Sequence, residues 1–486
     1  LLKRNLIANY LGQGWAAVMG LAFIPLYIHY LGIEAYGLIG VFAVLSTWLG
    51  LLDLGMMPTL NREMARYQGV PGGGEVLRDL LRSFELMAVG LACGVMAAMV
   101  LGADWLAGEW LRTETVSVAT AANAFAIMGF IVAVRLVEGI YRSSVIGMQR
   151  QVALNGVIIA TSTLRGIGGV AILALVSASL EAFFLWQGVI ACLSLVALAL
   201  LTYRSLPSAG RGGRFSLTSL QGVWRFAGGV LGINLLAMLL TQVDKVLLSK
   251  LLSLSDFGYF SVATTVAGAL YLLITPIAQA WYPRLCELHA AGDDAGLQRV
   301  YHKGAALAAA MCGSAALVLM VFAREFLLLW TRDPGLSDRV APLLSLFVFG
   351  TLLNCLFWLP YQMQLAHGWT RLAMRLNLLG VVILIPAILM TVPRYGAQGA
   401  GWVWVGLNAG YLLIGVQLMH TRILPGQQWR WYGKDVLLPL AGALLGLLVT
   451  EQLWAFPEGL LAQLLCLVVI SGVTLVSSLL VVRYGS

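Results

Sequence analysis

About fourteen apolar runs follow one another along the chain, separated by short polar connections. They lie near 6–29, 36–60, 82–104, 116–141, 152–177, 182–203, 222–249, 257–282, 303–329, 341–366, 373–392, 398–420, 436–454 and 460–482. Each is long enough to cross roughly 30 Å of hydrocarbon as a helix. Backbone polar groups cannot be left open in lipid, so a helix is the natural state of such a run. The pattern therefore predicts an all-α polytopic membrane protein of about 14 transmembrane helices. The longest polar connection runs from Arg204 to Gln221 and carries Gly210, Gly212 and Gly213. It divides the chain into a six-helix lobe (1–204), a linker (205–221), a second six-helix lobe (222–421) and an extra helix pair (422–486).

The two halves repeat one another. Leu31-Gly32-Ile33-Glu34-Ala35-Tyr36-Gly37 joins two apolar runs, and Leu252-Ser253-Leu254-Ser255-Asp256-Phe257-Gly258 does so again. Arg4 matches Arg225, Arg62 matches Arg284, Gly147 matches Gly368, and Asn155 matches Asn377, at offsets of 221 or 222. Two pseudo-symmetric lobes follow from a duplicated six-span unit, and repeats of this kind build transporters with the substrate path between them. Pro25, Pro58, Pro276, Pro360 and Pro386 fall inside runs, where each removes a backbone hydrogen bond and bends its helix.

Composition agrees. The chain is 60% hydrophobic and 11% charged over 486 residues, with a mean hydropathy of +0.87. Its 54 glycines suit helices packed closely in lipid. The formal charge of +8 is a topology signal rather than a nucleic-acid footprint. With the N-terminus inside, 21 Lys and Arg fall on the cytoplasmic side against 6 outside. Both termini are then cytoplasmic. Trp105, Trp110, Trp330, Trp429, Trp431 and Trp454 lie near predicted span ends, as interfacial aromatics do. The six cysteines have no CxxC pair and read as free thiols. The first run follows Lys3-Arg4 directly and is too long for the core of a cleavable signal. No metal-ligand spacing, cofactor motif or GxxxxGK[ST] loop is present, so neither a metal site nor an enzyme is expected.

Six ionisable residues fall inside predicted spans: Asp53, Arg135, Glu138, Arg165, Asp244 and Lys245. A charge facing lipid costs several kcal/mol, so these should face the bundle interior or water. Arg135 and Glu138 are i, i+3 neighbours and should touch, with Asp53 at a similar depth. Such a cluster would gate the path or carry a proton; a satisfied ion-pair network that fixes packing is the alternative. Arg165 lies near the middle of its run with no acid within a turn. It needs an anion from a ligand, or from Asp53 or Asp244 on another helix, and guanidinium suits phosphate. Asp244 and Lys245 point about 100° apart. If Lys245 snorkels, Asp244 is the better proton or ion site. Arg62 and Arg284 close equivalent spans at the inner surface, either meeting a phosphate headgroup or serving as topology anchors.

Tyr30-Leu31-Gly32-Ile33-Glu34-Ala35-Tyr36-Gly37, then Leu52-Asp53-Leu54-Gly55, then Arg62 and Ala65, resembles the opening of Wzx-type polysaccharide flippases. These belong to the multidrug/oligosaccharidyl-lipid/polysaccharide exporter superfamily. Asn377 to Gly401, with Pro393-Arg394-Tyr395-Gly396-Ala397-Gln398-Gly399-Ala400, resembles the turn between their eleventh and twelfth spans. The last two runs look like the extra pair of MurJ-type peptidoglycan-precursor flippases, although Leu6 to Tyr30 lacks the arginines that those carry in the first span. The resemblance implies two lobes that alternate between inward and outward opening. It also implies a polyprenyl-pyrophosphate-linked oligosaccharide, such as an O-antigen or related lipopolysaccharide precursor on undecaprenyl pyrophosphate, flipped to the periplasmic leaflet.

On this reading Arg165, Arg135, Arg62, Arg284 and Lys245 meet the substrate, and Asp53, Glu138 or Asp244 couple it to H+, Na+ or membrane potential. The expected partners are membrane lipids and a glycan polymerase, with the chain itself a monomer. One competing reading is a cation-coupled multidrug exporter of the same superfamily. Another is a non-transporting scaffold or polyprenyl-dependent transferase, which duplication and the lack of a large external loop oppose.

Overall fold

The computed structural model describes residues 2–53, 55–67, 72–207, 211–216, 242–453 and 459–485. Residues 208–210 and 217–221 of the expected linker and most of the seventh span, with the repeat anchor Arg225 and Trp454, lie outside the described residues. Among the described residues, twelve helical stretches are long and apolar enough to cross a membrane. One of these, Arg371–Ile423, is 53 residues long and breaks at Gly396, whose φ of 58° reverses the chain. Gly380 lies against Tyr411 and Leu407, so this stretch is a helical hairpin of two spans. Large apolar side chains such as Leu101 and Leu175, 85% and 84% exposed, cover the outside, as a lipid-facing surface requires.

The chain forms two compact units, Leu1–Gly258 and Tyr259–Ser486. The first contains α1 (Leu2–Ala22), α2 (Ile24–Leu31), α3 (Ile33–Gly50), α4 (Met56–Tyr67), α5 (Gly73–Trp105), α6 (Val118–Gly147), α7 (Gln151–Leu175), α8 (Leu180–Ser205) and α9 (242–251). Helix α6 is its centre, packed on α5, α8 and α4, while α1 lies along α7. Small residues make these approaches possible. A side chain at Gly129 of α6 would overlap Met99, and one at Gly12 of α1 would overlap Asn155. Asn155 donates to the Asn9 side chain at 2.6 Å, so a repeat-matched asparagine ties α7 to α1. Pro25 stands in the first turn of α2, and the first span bends at Phe23 beside it.

The repeated turns meet one another. A Cβ at Gly37 would overlap the Leu254 carbonyl oxygen, and a Cβ at Gly258 would overlap that of Ile33. Residue for residue the contact is reciprocal, so a local twofold relates Ile33–Gly37 to Leu254–Gly258. The loop after α5 fastens both turns. Glu34 accepts the N–H groups of Glu114 and Thr115 at 2.7 Å each, and the Thr115 hydroxyl. Leu254 donates its N–H to the Arg112 carbonyl at 2.9 Å. Lys250 lies over the Trp110 ring at 4.9 Å, and Trp110 donates to Ser249 at 3.2 Å. At the other end of α5, Asp79 takes both ends of the Arg211 guanidinium, at 2.8 and 2.6 Å, and the Arg214 N–H. That hydrogen-bonded carboxylate raises the Arg211 pKa above its ordinary value.

The second unit contains α10 (Leu254–Gly268, which crosses the boundary), α11 (Leu270–Ala290), α12 (Asp294–Val321), α13 (Ala323–Thr331), α14 (Pro334–Ala366) and α15 (Thr370–Gly410). It continues with α16 (Val416–Ile423), a π-helical stretch Trp431–Leu437, α17 (Leu438–Leu453) and α18 (Leu460–Gly485). Helix α12 is its core, in contact with α11, α14, α17 and α18. Its Gly304 receives Trp281, and its Gly313 receives Leu440. The side chains of Asp293 and Asp333 cap α12 and α14. The C-terminal pair is bound edge to edge, with the Ser478 hydroxyl donating to the Pro439 carbonyl at 2.8 Å.

The reciprocal glycine crossing generates a prediction. Gly37→Ala and Gly258→Ala each force backbone against backbone, and overpacking of this kind costs about 1–3 kcal/mol. Each is expected to lower the Tm of the purified protein in detergent, whereas Gly14→Ala, at a glycine with open space around it, is not. Equal Tm values for all three would show that the crossing is not tight.

Candidate functional site

Helix α6 presents Arg135, Glu138 and Arg142 at i, i+3 and i+7, along one side. It runs to Gly147, past the predicted span end, which leaves Arg135 about 18 Å before the helix end at 1.5 Å per residue. The expected Arg135–Glu138 contact is replaced by an i, i+4 pair: the Arg142 guanidinium donates to Glu138 at 2.9 Å. Glu138 precedes Arg142 by four residues, the better spacing for such a pair. Arg135 instead lies over the Phe42 ring of α3, 5.3 Å from its centroid, a cation–π contact.

Arg165 on α7 joins this group. Both Arg135 and Arg165 are within electrostatic reach of Glu138, and Arg135 also feels Arg165. Among the described residues neither arginine has a carboxylate within salt-bridge distance, and the Nε of Arg165 is buried without an acceptor. Three guanidinium groups thus share one carboxylate, an excess of two positive charges.

The sequence around Arg165 explains how it is held. Gly166, Gly168 and Gly169 leave room for Phe23, Trp186 and Tyr27, which a side chain at each position would meet. Trp186 donates to the Leu164 carbonyl at 3.1 Å, and the Tyr27 hydroxyl points at the Arg165 carbonyl at 3.4 Å. Tyr27, Phe183, Phe184 and Phe42 form a string of edge contacts at 4.9, 5.3 and 5.4 Å between centroids. The Phe42 face therefore supports Arg135, and aromatic side chains packed on the glycines of α7 hold the backbone around Arg165.

The other expected residues are placed elsewhere. Asp53 accepts the Gly55 N–H at 3.0 Å, at a helix break where Gly55 has φ 76°; it caps the start of α4 and forms no described ion pair with Arg135. The side chain of Arg62 lies outside the described residues. Arg284 is exposed and pairs with Glu287 at 2.7 Å. Lys245 is half-buried beside Asp244, whose Oδ1 is buried without a described partner.

Four further carboxylates, Glu34, Glu63, Glu85 and Asp435, were not anticipated as buried. Glu34 holds the loop after α5, as described above. Glu85 accepts the hydroxyls of Tyr141 and Tyr203 at 2.9 and 2.6 Å and pairs with Arg82 at 3.1 Å, tying α5 to α6 and α8. Asp435 meets His302 in the second unit. Trp431, expected at the membrane interface, is fully buried there because the π-helical turn rotates it inward, while Trp429 remains 75% exposed.

A family described as Polysaccharide biosynthesis protein matches residues 2–289, and the MatE family matches residues 230–390. No curated protein sequence matches the chain. Among solved structures, the fold is similar to the lipid II flippase MurJ in its inward closed conformation, with TM-score 0.69, 12% identity, and 97% of each chain covered. It is similar to an inward-facing multidrug resistance MATE transporter of the MOP superfamily, with TM-score 0.68, 15% identity, and 84% and 94% covered. A MOP superfamily transporter from Pyrococcus furiosus matches with TM-score 0.55 at 15% identity, 86% and 94% covered. At these identities the likeness establishes the fold.

The partners separate scaffold from candidate site. Glu85→Ala removes the acceptor of the Tyr141 and Tyr203 hydroxyls and the partner of Arg82, at about 0.5–1.5 kcal/mol for each hydrogen bond, and is expected to lower Tm clearly. Arg165→Met removes a half-buried charge that has no carboxylate partner among the described residues and is expected to leave Tm unchanged or raised. Thermal unfolding in detergent measures both, and an equal loss for Arg165→Met would make Arg165 a packing residue.

Proposed function

The chain belongs to the family of polysaccharide biosynthesis proteins and carries the fold of the MOP-superfamily transporters; from that premise we propose that it flips a polyprenyl-pyrophosphate-linked oligosaccharide, an O-antigen or related surface-glycan precursor, across the bacterial inner membrane. The observation that carries this reading is the surplus of guanidinium groups at Arg135, Arg142 and Arg165 over the single carboxylate of Glu138. A pyrophosphate supplies the missing negative charge. Arginine meets phosphate oxygens through forked hydrogen bonds, each worth about 1.5–3 kcal/mol when a charge is involved. A cationic drug would face repulsion from the same cluster, which disfavours the exporter reading. The similarity of the fold to a lipid II flippase supports a lipid-linked substrate.

In this mechanism the lipid carrier enters from the cytoplasmic leaflet and its pyrophosphate docks on Arg165 and Arg135. Alternating access then delivers the glycan to the periplasmic side. Arg62, Arg284 and Lys245 act at the mouths rather than at the centre. Asp244 is the favoured site for a coupling H+ or Na+, because one of its carboxylate oxygens is buried without a described partner. Asp53 and Glu138 are already engaged, by the Gly55 N–H and by Arg142.

The test is translocation in proteoliposomes that contain a polyprenyl-pyrophosphate-linked glycan, under imposed ion gradients. Arg165→Ala is expected to reduce the initial rate at least tenfold, about 1.4 kcal/mol or more, with Arg165→Lys partly active. In cells the same variant is expected to lose surface glycan while the protein stays in the membrane. A wild-type rate for Arg165→Ala removes that residue from the site. Export of cationic dyes with no glycan flipping would replace this reading by the drug exporter.

A further inference from the structure

We propose that His302 and Asp435 form a buried proton-binding site whose loading sets how firmly the C-terminal helix pair is held on α12. The imidazole Nδ1 and the Asp435 carboxylate are in hydrogen-bond contact, joining α12 to the π-helical stretch that leads into α17. The two side chains are only 5% and 7% exposed, and every other described ion pair has at least one partner more than a third exposed. A buried ionisable pair inside a membrane protein marks a functional site by default. Single π-helical turns gather at such sites because they re-aim one side chain out of register. Here the turn directs Asp435 and Trp431 inward, 5% and fully buried, while Lys434 stays exposed.

The second observation is an open position. The Nε2 of His302 is buried and has no hydrogen-bond partner among the described residues. With Nδ1–H given to Asp435, Nε2 is the atom that takes a further proton. Doing so turns a neutral imidazole beside a buried carboxylate into an ion pair.

The surrounding groups do not compete for that proton. On α16, His420 lies with Nδ1 2.9 Å from the Val416 carbonyl, so Nδ1 carries the hydrogen. Its Nε2 then accepts from the buried Tyr301 hydroxyl at 3.4 Å. The Tyr432 hydroxyl donates to the Leu412 carbonyl at 2.8 Å. Arg430 and Lys434 act on Asp435 from the exposed side of its own stretch. From α18 the Ser478 hydroxyl donates to the Pro439 carbonyl at 2.8 Å, and Arg483, exposed, stands in the last turn of the same helix.

Loading the site compensates a buried carboxylate, and an uncompensated one weakens the contact it sits in. Protonation should therefore tighten the docking of α17 and α18. The proposal is independent of the transported substrate and of the arginine cluster in the other unit.

The experiment uses the full chain in lipid nanodiscs with ring-15N histidine. His302→Gln assigns one of the five histidine signals. From about pH 8.5 to about pH 5, spanning the ordinary histidine range, the His302 Nε2 signal is expected to move from unprotonated to protonated. Over the same interval, hydrogen exchange in residues 428–450, corrected for its intrinsic pH dependence, should slow about threefold or more, as a more stable local unit does. In His302→Gln the exchange should be independent of pH; if that variant does not fold, Asp435→Asn carries the test with the same expectation. A His302 signal that stays in one protonation state across the range overturns the proposal. So does a titration that leaves exchange in 428–450 unchanged.

Discussion

Hydrocarbon offers no water to answer a charge, so every ionised group inside this protein must find its partner in protein or ligand. Most do. Glu138 has Arg142, Glu85 has two tyrosines and Arg82, and Glu34 has three backbone N–H groups. Among the described residues Arg135 and Arg165 do not: Arg135 lies over the Phe42 ring, and the Nε of Arg165 is buried without an acceptor. An arginine at the centre of a membrane helix costs about 2.5–3.5 kcal/mol on insertion scales. Two such residues left without carboxylates, on neighbouring helices, make sense when an anion visits them.

The scaffold around them is built by close approach rather than by apolar burial, since lipid is as apolar as the core. Glycines at 12, 129, 166, 168 and 169 each accept a neighbouring side chain that a Cβ would exclude. The reciprocal contact of Gly37 and Gly258 applies the same device between backbones, and the loop around Glu114 locks it with hydrogen bonds. Rigid packing of this kind keeps the arginines in place while their donors stay available.

Much of this was legible in the sequence because the membrane imposes a coarse rule. Run length and hydropathy located the spans, and the repeated Gly37 and Gly258 turns marked the places where the chain crosses itself. The charged residues inside spans pointed to Arg135, Glu138 and Arg165. What was hidden depended on one-residue boundaries and on choices among neighbours. His302 and Asp435 each fell one residue before a predicted span, at 303 and 436, so neither counted as buried. Helical spacing allowed Glu138 to pair at i−3 or i+4, and only the rotamers and the Phe42 ring decided for Arg142. Asp53 looked like a membrane charge because periodicity cannot show that the helix breaks at Gly55. The glycines around Arg165 were a readable signal: three in four residues beside a cation within a span make room for aromatic side chains against the helix.

The central claim is that Arg135 and Arg165 await a phosphorylated lipid. Binding of a short-chain prenyl pyrophosphate to the purified protein, compared with the prenyl alcohol, tests it most directly. The account predicts salt-sensitive binding of the pyrophosphate, weakened at least tenfold, about 1.4 kcal/mol, in the Arg135→Gln, Arg165→Gln double variant. Equal affinity for the alcohol, or unchanged binding in that variant, would contradict it.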